Sequence, residues 1–529
     1  MGSKKLQVWL PLIFAIVLVL GMYLGFTLRA STAGSAGFLR NNGNSPVQEV
    51  TDLIKNKYVD NIKPDSLNDQ VIDNVLSHLD PHSVFIPAKD LQYVNEDLEG
   101  HFQGIGVEFQ VFKDTVNIIS VIPGGPSDKA GVQVGDKLIK VNDTTNIAGT
   151  HINNTNIRKY LRGPAGSTVL VTVLRGGQLK KLTIERGMIA LPSVDAFYMI
   201  APQTGYLRIN KFAETTYPEF MEAMGKLQKQ GMQKLILDLR GNGGGLVDQA
   251  TNIADEFLDG DKMIVYTQGA KTPRTDYRSN KEGIFEKGKL TVLVDESTAS
   301  ASEILSGALQ DWDRATIIGR RTFGKGLVQQ QFNLTGGAAV RLTIARYYTP
   351  LGRNIQKPYN KGREQYEEEL MQRFHDGEVV HGDTAKPTGP AFKTQSGRIV
   401  YGGGGITPDI FVPFDTTTQS KLLTQMYIRS TLSNFVYNYY MEHKAGLQTF
   451  KTPADLYKGF KPSDTEWKQL AEYAQKDSVD IQSASAKTKA DILNILPALL
   501  ARQIWRTEGY FEVSNQNDPV VKKALETLK

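Results

Sequence analysis

The chain has 529 residues, of which 40% are hydrophobic, and a formal net charge of +5. A chain of this length can build two or three hydrophobic cores, and its charge is too small to favour nucleic-acid binding. It contains no cysteine, which excludes cysteine catalysis, disulfides and thiolate metal sites.

An apolar segment near the N-terminus predicts a membrane anchor. Lys4 and Lys5 precede an uncharged run from Val8 to Leu28, which is long enough to span about 30 Å as a helix. The lysines should stay inside, so that the rest of the chain lies across the inner membrane in the periplasm, or its extracytoplasmic equivalent. A cleaved signal peptide is the alternative, although its apolar region is usually shorter, about 7 to 15 residues.

Two further segments lead from this anchor, at residues 1–30, to the first folded part of the chain. Residues 31–45 are rich in Gly, Ser, Ala and Asn, which is typical of a flexible tether. Apolar residues such as Val50 and Leu53 then recur at helical spacing, so we expect a helical region over residues 46–99.

A short glycine-containing segment resembles the carboxylate-binding loop of a PDZ domain: Gly104, Ile105, Gly106 and Val107. A Gly-x-Gly turn exposes backbone N–H groups that can hold a terminal carboxylate, and the strand after it offers an edge for β-augmentation. The glycines alone would only permit a turn, but the resemblance continues from Phe102 to Arg186. It implies a PDZ domain at residues 100–187 that prefers a hydrophobic C-terminal residue.

The next elements predict a parallel sheet. Residues 205–211 and 234–239 look like strands, and residues 218–230 look like the helix of a β-α-β crossover. The second strand ends in a glycine-rich turn, but Leu246 stands where a dinucleotide-binding turn needs its third glycine. We therefore interpret the turn as a source of backbone hydrogen-bond donors.

A strand, turn and helix follow at residues 290–309 and contain a candidate nucleophile, Ser300. Ser300 and Glu303 have the spacing of a capping box, which predicts that the helix begins at Ser300. Unpaired N–H groups and the helix dipole at such a terminus suit the oxyanion that a nucleophile generates. The alternative is that Ser300 only caps the helix.

The candidate general base is Lys325, which stands between Gly324 and Gly326 after a predicted buried strand. Burial would lower its pKa from about 10.4 toward the range in which the neutral amine accepts a proton from serine. An exposed lysine or a phosphate-binding lysine is the alternative. Residues 319–325 satisfy the first seven positions of a P-loop, but Gly326 lacks the hydroxyl that a P-loop needs for magnesium.

The seven histidines do not offer a nearby base. None lies between His151 and His375, and a Ser-Lys pair needs none. We interpret His82 as structural, because no other potential ligand stands at metal-site spacing from it.

Three motifs together resemble the C-terminal processing proteases, the tail-specific Ser-Lys peptidases of family S41: residues 300–303, 308–311 and 322–326. The resemblance implies Ser300 as the nucleophile, Lys325 as the general base and Gln329 as the residue that orients the lysine. Along a straight strand Lys325 and Gln329 would stand about 13 Å apart, so their contact requires a bend near Gly324 to Gly326, and an extended hairpin would remove Gln329.

The resemblance also implies supporting groups. The glycine-rich loop should face the nucleophile, so that the N–H groups of Gly244 and Ala301 form the oxyanion hole, with the choice among Gly243, Gly244 and Gly245 left open. Asp311 matches an acidic residue implicated in some members, or it supports the structure only.

The predicted fold is therefore an α/β multidomain chain. A protease core of ClpP- and crotonase-like β-α-β units at residues 188–415 carries the inserted PDZ domain, the N-terminal helical segment and a helical extension at residues 416–529. Within the core, residues 364–369 are interpreted as an acidic surface face and not as a metal site.

The predicted function is that of a membrane-anchored serine endopeptidase that cleaves proteins near their exposed, hydrophobic C-termini. We expect no cofactor, no metal and no nucleic acid, and leave open a second copy or an adaptor protein as a partner. The alternative from another class is a non-catalytic, membrane-tethered PDZ scaffold on a protease fold, and an ATP-binding protein is a weaker one.

Overall fold

The computed structural model describes residues 46–61, 64–112, 114–149, 154–382, 389–416 and 420–529. The predicted anchor and tether lie outside these residues. Of the helices that the structure describes, none is both long and apolar enough to cross a membrane. The contacts divide the chain after Asn74 into two units. The first includes α1 (Pro46–Lys57) and most of α2 (Pro64–Ser77).

The second unit begins with elements that frame the predicted PDZ domain. In chain order these are β1 (Val84–Ile86), α3 (Ala88–Glu99), β2 (His101–Gly104), β3 (Val107–Phe112), β4 (Thr115–Val121), α4 (Pro126–Lys129), β5 (Lys137–Val141), β6 (Thr145–Asn146), α5 (Asn154–Leu161), β7 (Thr168–Arg175), β8 (Gln178–Glu185) and β9 (Gly187–Ala190). The sheet order is β3-β4-β5-β7-β8, with β6 beside β5. Strands β2 and β9, which precede and follow this sheet in the chain, form a separate two-stranded sheet. Strand β3, which follows the glycine loop, is therefore an edge strand of its sheet.

The predicted protease core is built on a second six-stranded sheet with helices on both faces. Its elements are β10 (Val194–Ala201), β11 (Thr204–Ile209), α6 (Thr216–Lys229), β12 (Lys234–Asp238), α7 (Val247–Asp255), β13 (Met263–Gln268), β14 (Thr275–Arg278), β15 (Lys289–Val294), α8 (Ala301–Asp311) and β16 (Thr316–Gly319). The sheet order is β10-β11-β12-β15-β16, completed by β21 (Ile410–Phe411) at the edge. All neighbours except β10 and β11 are parallel, so the predicted parallel sheet is confirmed.

The alternation of side chains along these strands explains the layers. Leu235 and Leu237 of β12 face a buried cluster that includes residues of α6, α7 and α8, whereas Ile236 faces a separate cluster with the C-terminal helix. Because both faces are covered, the strands read as continuous apolar runs. The carboxyl ends of β12 and β15 lie side by side at one edge of this sheet.

A smaller sheet stands beside the core and completes the site. It contains β1, β13, β14, β17 (Leu327–Asn333) and β18 (Ala339–Tyr348). Strand β18 pairs with β17 along its length, and with β1 and β13 on its other side. The three-residue strand β1 was not predicted. It brings the segment before it, which contains His82, close to residues 322–326, which we call the lysine loop because they contain Lys325.

The remaining elements cover the core. They are α9 (Arg363–His375), α10 (Glu378–His381), β19 (Ala391–Lys393), β20 (Ile399–Tyr401), β21 (Ile410–Phe411), α11 (Lys421–Ile428), α12 (Thr431–Leu447), α13 (Pro453–Gly459), α14 (Asp464–Lys476), α15 (Ala486–Ser514) and α16 (Pro519–Thr527). Helices α11 to α15 share a buried cluster of their own, and α16 packs on the main sheet. The predicted helical extension is thus confirmed.

The C-terminal helices also contact the sheet that contains β3. Phe112 and Tyr437 stack with ring centroids 5.2 Å apart, and the Gln110 amide donates to Asn434 across 2.8 Å. Helix α15 is broken at Arg506, where φ is +61°, and the Arg506 guanidinium pairs with Glu108 across 3.0 Å. The helical extension therefore contacts alternate side chains along β3, which are those of Glu108, Gln110 and Phe112.

The predicted acidic surface face at residues 364–369 is confirmed for Glu364, Glu367 and Glu368, which are exposed. It fails for Glu369, which is partly buried and pairs with Lys357 across 2.8 Å and with Arg373 across 2.7 Å. Arg373 in turn donates to the Thr322 carbonyl across 2.8 Å. Helix α9 folds back over the lysine loop, so its charges face the protein as well as the solvent.

Candidate active site

Ser300 occupies a sharp turn between β15 and α8. Its backbone has φ of +56° and ψ of −116°, which a non-glycine residue rarely adopts. The turn is fixed by the hydrogen bond from the Ala299 N–H to the Asn242 carbonyl, across 3.0 Å. Such a strained conformation motivates a functional role for the residue that it presents.

The Glu303 side chain joins the serine turn to the lysine loop. Glu303 is fully buried, and its carboxylate accepts from the N–H groups of Ser300 (2.9 Å), Gly324 (2.8 Å) and Lys325 (2.8 Å). It also accepts from the Thr322 hydroxyl. The capping-box spacing predicted only the contact with Ser300, because the other donors are distant in sequence.

The Lys325 amine is held by a short chain of hydrogen bonds. Its Nζ donates to the Gln329 Oε1 across 2.9 Å, and the Gln329 amide donates to the His82 carbonyl. Burial lowers the pKa of Lys325 to about 8, and the positive charge of Arg341 adds to the effect, while Glu303 and Asp80 oppose it. About one tenth of the amine is therefore neutral at pH 7, far more than for an exposed lysine.

The contact between Lys325 and Gln329 depends on an irregular backbone. Gly324 has φ of +88°, β17 begins only at Leu327, and its register against β18 shifts between Val328 and Gln329. The chain therefore bends after Lys325, and this bend is what the contact with Gln329 requires. The bend persists although Gln329 itself lies in β17, which forms a hairpin with β18.

One cavity brings the predicted residues together. It has a volume of about 560 Å³, and its lining includes Ser300, Lys325, Gln329 and the glycines 243–245. The Tyr347 hydroxyl contacts the Lys325 carbonyl and lies 3.1 Å from the Ser300 carbonyl. Tyr347 thus supports both sides of the cavity, a role that no local sequence signal indicates.

The glycine loop lies directly against Ser300. At Gly244, where φ is +100°, an added Cβ would come within 2.7 Å of the Ala299 carbonyl oxygen and the Ser300 Cβ. The same Cβ position is 3.0 Å from the Ala301 nitrogen, whose N–H is one of the unpaired donors at the start of α8. The loop therefore lies against Ser300, as expected, while its part in an oxyanion hole stays a prediction.

The predicted donor within that loop already has an acceptor. The Gly244 N–H donates to the Asn242 Oδ1 across 2.8 Å, because the short Asn side chain turns back on its own backbone. Within the described residues the Gly245 N–H forms no such bond. For Gly244 to stabilise an oxyanion, the Asn242 side chain would have to release it.

Asp311 lies outside the cavity lining. It is buried at the other end of α8, where it pairs with Arg353 and accepts from the Leu351 N–H across 3.0 Å. The geometry favours the structural alternative for this residue.

His82 supports the site through its backbone and its packing. The ring Nε2 lies 2.8 Å from the Tyr366 hydroxyl. Burial and the charge of Lys325 lower the pKa of His82 to about 4, so the ring is neutral at physiological pH. The Asp80 carboxylate accepts from the His82 N–H across 2.9 Å, which fixes the turn whose carbonyl holds Gln329.

The predicted carboxylate-binding loop is a separate site. Its carbonyls are used within the domain, since Ile105 accepts from the Ser127 N–H (3.0 Å) and Gly106 from the Ile122 N–H (3.1 Å). Gly106 has φ of +73°, which the turn requires. Val107 then begins the edge strand β3.

Three family profiles match the chain. The peptidase family S41 profile covers residues 203–362, a PDZ domain profile covers residues 103–185, and a family of unknown function, DUF8443, covers residues 422–506.

Two curated relatives extend the match beyond these profiles. The "Probable CtpA-like serine protease" of Staphylococcus haemolyticus is 33% identical over 351 residues, which are 64% of this chain and 70% of that protein. The chain belongs to peptidase family S41. The "Carboxy-terminal-processing protease" of Bartonella bacilliformis is 36% identical over 315 residues, 58% of this chain and 71% of that protein.

A solved structure of the photosystem II D1 C-terminal processing protease is also similar. It is 27% identical, the match covers 70% of this chain and 88% of that one, and the TM-score is 0.36. As an S41 member, the protein is a serine-type peptidase with a PDZ domain.

Proposed function

We propose that the protein is a membrane-anchored endopeptidase that cleaves protein substrates near their C-termini with a Ser300–Lys325 dyad. The observation that carries the proposal is that both side chains line one cavity, with the amine of Lys325 held by Gln329 and made less basic by burial.

The neutral Lys325 amine accepts the hydroxyl proton of Ser300 as the oxygen attacks the scissile carbonyl. The ammonium formed then gives that proton to the leaving amine, and an acyl-enzyme remains. Water, deprotonated by the same amine, releases the acyl group and restores Ser300. N–H groups of Ala301 and of the glycine loop stabilise the oxyanion in both steps.

Substrate capture is assigned to the PDZ domain. The turn at Gly104 to Val107 suits a terminal carboxylate, and the edge of β3 suits an extended peptide. Apolar Ile105 and Val107 favour a hydrophobic last residue. The membrane anchor rests on the apolar run from Val8 to Leu28.

The dyad is tested by digestion of a tail peptide with wild type, Ser300→Ala and Lys325→Ala. Both variants should lose cleavage while their circular dichroism spectra stay unchanged. Full activity in Lys325→Ala would rule out the dyad, whereas an inactive wild type would favour the non-catalytic PDZ scaffold.

Capture of the terminus is tested separately. Amidation of the C-terminal carboxylate of the peptide should raise KM, because the loop loses its anionic ligand. Equal KM values for the free and amidated peptides would count against the PDZ step without affecting the dyad.

A further inference from the structure

The active-site cavity contains a guanidinium group without an acidic partner. Arg341, on β18, lines the cavity together with Ser300 and Lys325. Its Nη2 donates to the neutral Gln331 side chain across 3.2 Å. Burial lowers the pKa of Arg341, and no carboxylate among the described residues offsets that effect.

The other cations of the cavity are already engaged. Lys211 pairs with Asp97 across 2.9 Å, and Lys325 donates to Gln329 across 2.9 Å. Among the cationic side chains that line this cavity, Arg341 is therefore the one available to bind an anionic group of a substrate.

The backbone of Arg341 is held rigidly. The residue lies opposite Val84 of β1 on one side and Gln331 of β17 on the other, so it sits inside the smaller sheet and not on a loop. A partly desolvated, planar guanidinium at a fixed position binds a carboxylate more strongly than an exposed one does.

We propose that Arg341 binds a carboxylate of the peptide substrate beside the scissile bond, and so gives the cavity a preference for an anionic group at one position. The carboxylate can be an Asp or Glu side chain or the α-carboxylate of the chain terminus, which present the same chemistry. The proposal rests on the proposed function, because the same cavity holds Ser300 and Lys325. It is distinct from terminus capture at Gly104 to Val107, which lies in another domain.

The position of Arg341 adds a second, measurable effect. The charged groups around the Lys325 amine are Arg341 on β18, Glu303 on α8 and Asp80 before β1, while His82 is kept neutral by burial. A carboxylate bound to Arg341 would offset its positive charge and so raise the pKa of Lys325. An anionic substrate should therefore bind more tightly and also need a higher pH to reach full turnover.

The test uses pairs of peptides that differ only by Glu or Gln at one position, taken in turn on each side of the scissile bond, with amidated C-termini. At one position the Glu peptide should bind Ser300→Ala about tenfold more tightly than its Gln partner, as expected for a charge-assisted contact. Wild type should show the same ratio in KM. Peptides truncated to place a free α-carboxylate at that position distinguish a chain terminus from a side chain.

Substitutions then assign the preference. In the Ser300→Ala background, Arg341→Gln should abolish it, Arg341→Lys should retain part of it, and Arg341→Glu should favour a Lys peptide. Arg346→Gln removes an exposed charge from the same strand and should leave the preference intact. With wild-type enzyme, the pH at which kcat is half-maximal should be higher for the Glu peptide than for the Gln peptide.

Two results would overturn the proposal: equal binding of Glu and Gln peptides at every position, or a preference that survives Arg341→Gln. Because binding is measured with Ser300→Ala, these results stand whether or not wild type cleaves. If the protein binds Glu peptides with the predicted preference but cleaves no peptide, the proposed dyad is refuted, whereas the proposed carboxylate-binding site at Arg341 stands.

Discussion

The Glu303 carboxylate accepts from the Lys325 backbone N–H across 2.8 Å, although the two residues are 22 positions apart. The same carboxylate holds the Ser300 N–H at 2.9 Å. One buried side chain thus ties the Ser300 turn to the Lys325 segment, and we regard Glu303 as a positioning residue for the proposed dyad.

Glu303→Gln should impair both stability and turnover. Each carboxylate oxygen serves two donors, so an amide in place of one oxygen leaves two buried donors without an acceptor. We expect a loss of about 2 to 4 kcal/mol in the free energy of unfolding and at least about a tenfold loss in kcat from misplacement of the dyad. Denaturant titration and steady-state kinetics measure the two effects.

Glu222→Gln on α6 is the matched control, since Glu222 is exposed and pairs with Lys226 at the surface. It should change the free energy of unfolding by less than about 0.5 kcal/mol. If Glu303→Gln behaves like this control, Glu303 does not position the dyad.

The pH dependence of the wild type should report Lys325. A general base works in its deprotonated form, and the pKa of Lys325 is lowered to about 8, so kcat/KM should rise with pH, reach half its maximum near pH 8 and level off about one unit above that. The measurement is log kcat/KM for a neutral peptide across about two pH units on either side. A midpoint near the usual histidine pKa, about 6.5, would point to a different base.

Gln329→Glu should move that profile. A carboxylate in the position of the Gln329 amide oxygen, 2.9 Å from the Lys325 Nζ, stabilises the ammonium and should raise the midpoint by about 1 to 2 pH units. Activity at neutral pH should fall accordingly and recover in alkaline buffer. Gln330→Glu places the same charge on the neighbouring exposed residue and should leave the midpoint near its wild-type value.

Much of the core was predictable because its signals are local. The apolar runs of β12 and β15 and the small-residue turn before α8 lie within short windows of sequence, and Ser300 and Lys325 belong to motifs of a few residues each. The parallel pairing then follows from the β-α-β order.

The parts that were missed depend on distant contacts. Strand β1 has three residues and forms only by pairing with β18, which no local pattern records. Glu369 looked like part of a solvated face because its partners Arg321 and Lys357 lie in other segments. The hydrogen bond from the Gly244 N–H to Asn242 depends on the rotamer of the Asn242 side chain. The spacing of residues in the sequence does not specify that rotamer.

The two neighbouring glycines of the donor loop should respond differently to alanine. At Gly244 the new Cβ would approach the Ala299 carbonyl oxygen to 2.7 Å with φ at +100°, whereas at Gly243 no atom lies within 4 Å of it. Gly244→Ala should therefore displace the loop from Ser300 and lower kcat by at least about a hundredfold. Gly243→Ala should retain most of the activity, and comparable losses in both variants would contradict this geometry.

Asp311 offers the clearest separation of structure from chemistry. Its partner Arg353 is fully buried, so Asp311→Leu would leave an uncompensated charge and should reduce the free energy of unfolding by about 3 to 5 kcal/mol. The double variant Asp311→Leu, Arg353→Met removes both charges and should recover much of that stability, because an apolar pair can replace a buried ion pair. Since Asp311 is outside the cavity lining, kcat of the folded double variant and its pH midpoint should stay close to wild type. A double variant that is stable yet inactive would instead assign Asp311 or Arg353 to the chemistry.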